Sequence, residues 1–134
     1  MKDYASMSDF EINAAVFEAL HGGAPDYKEG DGGAMILISC EGDVVGGDAV
    51  EMEVERGLFN PCNNPADAWP IITATGISLI KCTVDSVCWS AEIITDIDDV
   101  TDNLFQCQSS FDYQDENPLR CAMIVFLMMK EGEL

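Results

Sequence analysis

Asn117-Pro118-Leu119-Arg120-Cys121-Ala122-Met123-Ile124-Val125-Phe126-Leu127-Met128-Met129 is the stretch on which the fold turns. Asn117 is a good helix N-cap, and Pro118 suits the first helical position, where a backbone N–H would have no partner anyway. The body that follows is apolar on every side. A helix without a polar face must be buried at the centre of the molecule or shared with another subunit. Arg120 is out of place in this setting. It lies in the first turn, where the helix dipole disfavours a cation, and the chain has only six Lys and Arg residues.

Working outward, the same cap-plus-proline device occurs at Asn64-Pro65, so a second helix opens there. Pro70 inside its pattern makes that helix short or kinked near Trp69, and Gly76 ends it. A third helix is expected over Ser8–Leu20. Ser8 and Glu11 form a capping box, with Met7 and Ile12 at the staple positions. Phe10, Ala14, Phe17 and Leu20 supply its apolar stripe, widened by Val16, and His21-Gly22-Gly23 stops it. Residues 22–33 read as an exposed loop. Ala34–Cys40 reads as a short strand followed by a turn at Glu41-Gly42-Asp43, with Val44-Val45 opening another. Val50–Glu55 alternates, placing Val50, Met52 and Val54 inside and Glu51, Glu53 and Glu55 outside. Ile77–Val84 and Val87–Ile94 form a hairpin around Asp85-Ser86. Asp96–Asp102 reads as an acidic loop, and Leu104–Gln108 as one more strand. Strands grouped between helices and joined by turns imply an α+β fold with a mainly antiparallel sheet. At 134 residues, the chain is expected to be one domain over 1–134.

Charge is the outlying property. Against 25 Asp and Glu stand 6 Lys and Arg, a net charge of −19. Such a field repels nucleic acid and anionic membranes and attracts a basic protein surface. No N-terminal basic flank leads into an apolar run, and the longest apolar run is far short of the roughly 18 residues that span a bilayer. A soluble, cytoplasmic protein is expected. Six cysteines without a Cys-x-x-Cys pair, and a single His21, make a metal site unexpected. The cysteines read as reduced core residues.

No phosphate-binding glycine loop, dinucleotide fingerprint, zinc-protease helix or nucleophile elbow is present. Asp96-Ile97-Asp98-Asp99 lacks the glycine and terminal glutamate of a calcium loop. The candidate chemistry is concentrated in Asn60–Ile72 and at Arg120. Asn63 and Asn64 offer donors and acceptors suited to the edge of a base or sugar. Asp67 can accept from a hydroxyl or amine, and Trp69 offers a stacking face. Arg120 at a helix N-terminus can hold a phosphate or carboxylate. Each has a plainer alternative: Asn64 caps, Asp67 complements the dipole, Trp69 fills the core and Arg120 pairs with Asp115 or Glu116.

Ser8-Asp9-Phe10-Glu11-Ile12-Asn13, the string Cys62–Ile72 and the string Asn117–Met129 together resemble the NinX-like family of small temperate-phage proteins. The resemblance implies an accessory protein acting in the cytoplasm of an infected bacterium, by binding and not by catalysis. The stretch 22–57 departs from the family pattern, being longer and more acidic, and reads as an elaboration. Two binding modes follow, of which the first is preferred, because the specific strings lie at helix starts and not on the acidic faces. One sequesters a small nucleotide-derived immune signal, using Asn63, Asn64, Asp67, Trp69 and Arg120 without any cofactor, in a homo-oligomer assembled through the last helix. The other is an acidic nucleic-acid mimic that occupies a basic host protein. A third reading, an enzyme that degrades such a signal, lacks a recognisable nucleophile or base.

Overall fold

The computed structural model describes residues 3–45, 47–82, 88–100 and 104–132. Three helices, α1 (Asp9–His21), α2 (Pro65–Thr75) and α3 (Pro118–Gly132), accompany six strands. The strands are β1 (Tyr27–Glu29), β2 (Met35–Val45), β3 (Asp48–Phe59), β4 (Ile77–Cys82), β5 (Cys88–Val100) and β6 (Leu104–Asp115). They form two antiparallel three-stranded sheets, ordered β1-β2-β3 and β4-β5-β6. The α+β class expected from the sequence is the class observed, with two sheets in place of one.

α3 is the centre of the molecule. Every side chain from Cys121 to Leu127 is buried. The helix lies against β4, β5 and β6 and also meets α1 and α2. Of the two placements open to an all-apolar helix, burial within a single chain is the one found. Each large aliphatic side chain so buried contributes roughly 1.5–3 kcal/mol, which makes this helix the principal source of apolar burial.

α1 starts as its capping box requires. The Glu11 N–H donates to Ser8 Oγ at 3.1 Å, and the Ser8 N–H donates to Glu11 Oε1 at 3.1 Å. Its inward face differs from the stripe expected. Ile12, Asn13, Ala14 and Val16 are buried, whereas Phe10 and Phe17 are half-buried and Leu20 is exposed. The two phenylalanines face the first sheet instead. Phe10 lies 5.8 Å from Tyr27 and Phe17 5.5 Å from Phe59, centroid to centroid. α2 runs through Pro70 to a left-handed Gly76.

Several loops expected from the sequence are strand. Residues 22–33 include β1, which is held by its pairing with β2. Glu41-Gly42-Asp43 is not a turn, since β2 continues through it in register with Val50, Glu51 and Met52 of β3. Asp96–Val100 belongs to β5, and residues 101 and 102 of the expected acidic loop lie outside the described residues, as does the Asp85-Ser86 turn. In each case a local composition of glycine and acid was outweighed by a hydrogen-bonded ladder. Glu53 and Glu55 are exposed as the alternation requires, but Met52 is also exposed. The β2–β3 hairpin runs past the core, so at Met52 it has no core to face; the side chains of Val50 and Glu51 lie outside the described set.

Candidate functional site

The starts of all three helices meet at one place, where asparagine side chains hold the chain segments together. Asn13 is fully buried in α1. Its Nδ2 donates to the Gly33 carbonyl at 2.9 Å and to Asn60 Oδ1 at 2.8 Å, and its Oδ1 accepts from the Cys62 N–H at 3.0 Å. An amide is the one side-chain group that offers two donors and an acceptor without charge. Gly33 is left-handed (φ 81°), and a Cβ there would lie 2.9 Å from Asp9 Cβ. The turn at Asp31–Gly33 can therefore approach α1 only with glycine at that position.

Asn63 sits at the junction between helices. Its Nδ2 donates to Asp9 Oδ2 and to the Gly32 carbonyl, each at 3.1 Å, and its Oδ1 accepts from Asn117 Nδ2 at 3.3 Å. Asn117 also donates to the Cys62 carbonyl at 2.8 Å while its Oδ1 caps α3, accepting from the N–H of Leu119 at 2.9 Å and of Arg120 at 3.2 Å. Asn64 Oδ1 caps α2 by accepting from the Ala66 N–H at 3.0 Å. Asp67 Oδ2 accepts from the Asn60 N–H at 2.9 Å.

Arg120 is enclosed by acceptors. Nη1 pairs with Asp9 at 2.8 Å and Nε with Asp115 at 3.2 Å. Nη2 donates to the carbonyls of Tyr4 at 3.0 Å and Met7 at 2.8 Å. Burial works against its charge, but the hydrogen bond and charge of Asp9, with Asp115, outweigh that and raise its pKa. The guanidinium thus ties residues 4–9 to the start of α3, with the Asp115 partner considered from sequence and with Asp9, which was not. Near the same junction, burial lifts the Cys62 thiol to about 12, so it stays protonated and inert.

Four of the five candidate residues, Asn63, Asn64, Asp67 and Arg120, therefore lie at this junction with their polar atoms bonded within the molecule: Asn63 and Arg120 share Asp9, and Asn64 reaches Asp67 at 3.4 Å. Trp69 stands apart on the outer face of α2, 60% exposed, and does not fill the core. A groove of about 370 Å³ runs beside Asp67, lined by Leu20, Phe59, Pro70, Ile71 and Ala74. Asn13 and Asp9 are the members that sequence reasoning missed; Asn60 lay in the candidate stretch without a role of its own. The available signal was Asn13 itself, a polar residue between Ile12 and Ala14 on a helix face that must be buried.

Among the described residues, no helix is long and apolar enough to cross a membrane, and no group of three or more His, Cys, Asp or Glu side chains is placed to hold a metal ion. Searches of curated proteins and of solved structures return no significant match. The family model described as "Bacteriophage P22, NinX" matches residues 3–130, a span that takes in all three helix starts and their asparagine junction. The chain belongs to the NinX family of phage proteins.

Proposed function

We propose that this NinX-family protein acts by non-covalent capture of a host protein in the infected cell's cytoplasm, occupying a basic surface that otherwise holds nucleic acid. The observation that carries this reading is the internal use of the cations. Arg120 is ion-paired with Asp9 and Asp115, and Lys28 with Glu53. Arg56 Nε donates to Ser39 Oγ, Lys81 lies over the Trp89 ring and Lys130 over the Phe126 ring. Every described basic side chain thus has a partner inside the molecule, in a chain whose net charge is −19. Glu18, Glu29, Glu55 and Asp112 are among the exposed acids. Spaced carboxylates of this kind attract a basic groove at long range, and the attraction weakens as salt screens it.

The test is competitive release. Host nucleic-acid-binding proteins are loaded on immobilised DNA and challenged with the purified protein. At low ionic strength, where DNA alone keeps its load, discrete host proteins should be released as the protein is added; their direct binding to it should weaken as salt rises, and Glu29→Gln/Glu55→Gln should weaken release. Direct binding that is indifferent to salt, or no release at all, defeats the proposal.

Sequestration of a small nucleotide-derived signal is supported by one observation, the exposed indole of Trp69 beside the α2 start. It also asks Arg120 to give up partners it already has. Trp69→Ala should leave stability within roughly 0.5 kcal/mol, as for most surface changes. If it nevertheless abolishes a ligand-induced thermal shift across a nucleotide panel, this second reading displaces the first.

A further inference from the structure

Cys82 ends β4 and Cys88 begins β5, and the two are directly opposed in the ladder. Opposed residues of an antiparallel pair have Cα atoms about 4.5–5.5 Å apart. That lies inside the roughly 4.4–6.8 Å that a disulfide spans. Both side chains are half-exposed. The remaining described cysteines differ. Cys62 and Cys121 are fully buried, and Cys121 Sγ donates to the Tyr113 carbonyl at 3.0 Å. Cys40 is exposed and faces Glu53 across its ladder.

We infer that Cys82 and Cys88 form an oxidation site, a cross-strand dithiol that a small disulfide oxidant of the glutathione-disulfide class converts to an intrachain disulfide. One cysteine loses its proton to solvent, and its thiolate attacks a sulfur of the oxidant. The oxidant's S–S bond breaks, a mixed disulfide forms and one glutathione thiolate leaves. The second cysteine, deprotonated in turn, attacks the protein sulfur of that mixed disulfide and expels the second glutathione. Two protein thiols are oxidised by two electrons, and one oxidant disulfide is reduced to two thiols. Burial, with Cys88 alongside, raises the Cys82 pKa, so the reaction quickens as pH rises. The new bond pins the end of β4 to the start of β5. The next residue, Trp89, is in register with Asp115, a partner of Arg120. The cross-link therefore stiffens the strand that leads to the helix junction. It is independent of the binding proposal above.

The experiment treats the folded protein with oxidised glutathione and maps the cysteines by peptide mass. Wild type should lose two hydrogens and yield a Cys82–Cys88 linked peptide, while exposed Cys40 takes up glutathione and serves as the internal control. Cys88→Ser should trap glutathione on Cys82 as a stable mixed disulfide. Glutathione retained on both Cys82 and Cys88 in wild type would overturn the inference, as would a pair left untouched under conditions that fully modify Cys40. A link from either cysteine to some other residue would do the same.

Discussion

Asn13 is where α1, the Asp31–Gly33 turn and the loop before α2 exchange hydrogen bonds. Leucine has nearly its shape but none of its polar atoms. Asn13→Leu would leave the buried Cys62 N–H and the part-buried Gly33 carbonyl without this partner, while Asn60 Oδ1 keeps the bond from Asn63 Nδ2; each group left unpaired costs about 1–3 kcal/mol. The variant should lose on the order of 3 kcal/mol or more in denaturant unfolding. A loss below about 1 kcal/mol would mean that water replaces the amide and that the junction is looser than its distances imply. The same accounting separates Arg120 from Trp69. The arginine is surrounded by four acceptors, whereas the tryptophan is a surface ring that can change without touching the fold.

At the scale of elements, the two Asn-Pro starts do different amounts of work. Asn64 accepts the Ala66 N–H and donates only a long 3.4 Å bond to Asp67. Asn117 caps α3 and also holds the Cys62 carbonyl and Asn63. A cap alone contributes about 1 kcal/mol. Asn64→Ala should therefore cost about that much, and Asn117→Ala about twice as much, because bonds between elements go with the cap. Equal losses in thermal or chemical unfolding would show that the bridging bonds add nothing to capping. The Cys62–Ile72 and Asn117–Met129 strings carry the family resemblance, and the contacts explain their composition: one string supplies the loop that the other string's cap grips.

For the whole molecule, like charge opposes compaction, so added salt should raise stability as well as weaken binding. Alkaline pH acts through buried neutral groups. Burial lifts the Cys62 and Cys121 thiols from their ordinary 9.0 to about 12. Burial, with the bond to Glu131, lifts the Tyr4 hydroxyl from 10.0 to about 12. A value raised by folding means that the native state favours the protonated form. That stabilisation is fully present below the unfolded values near 9.0 and 10.0 and is lost as pH climbs toward about 12. Denaturation midpoints should fall across that window, and Cys62→Ala with Cys121→Ala should flatten the fall relative to each variant's own neutral-pH value. An unchanged slope would place the loss in charge repulsion alone.

Local chemistry carried much of this architecture in the sequence. The capping box at Ser8, the Asn-Pro starts, the Gly stops and the all-apolar run of α3 each fix their own boundaries, because caps and apolar periodicity act over a few residues. The short β1, the extension of β2 and β5 through acid and glycine, and the face that α1 turns inward were settled by tertiary structure. Strand pairing and helix packing depend on partners distant in sequence, and they override local preference when a ladder or a core is there to meet. The junction divides the same way. Sequence marked Asn63, Asn64, Asp67 and Arg120 as unusual, but only the fold shows that their polar groups are taken up inside the molecule, with Asp9 shared by Asn63 and Arg120, at the place where three helix starts meet.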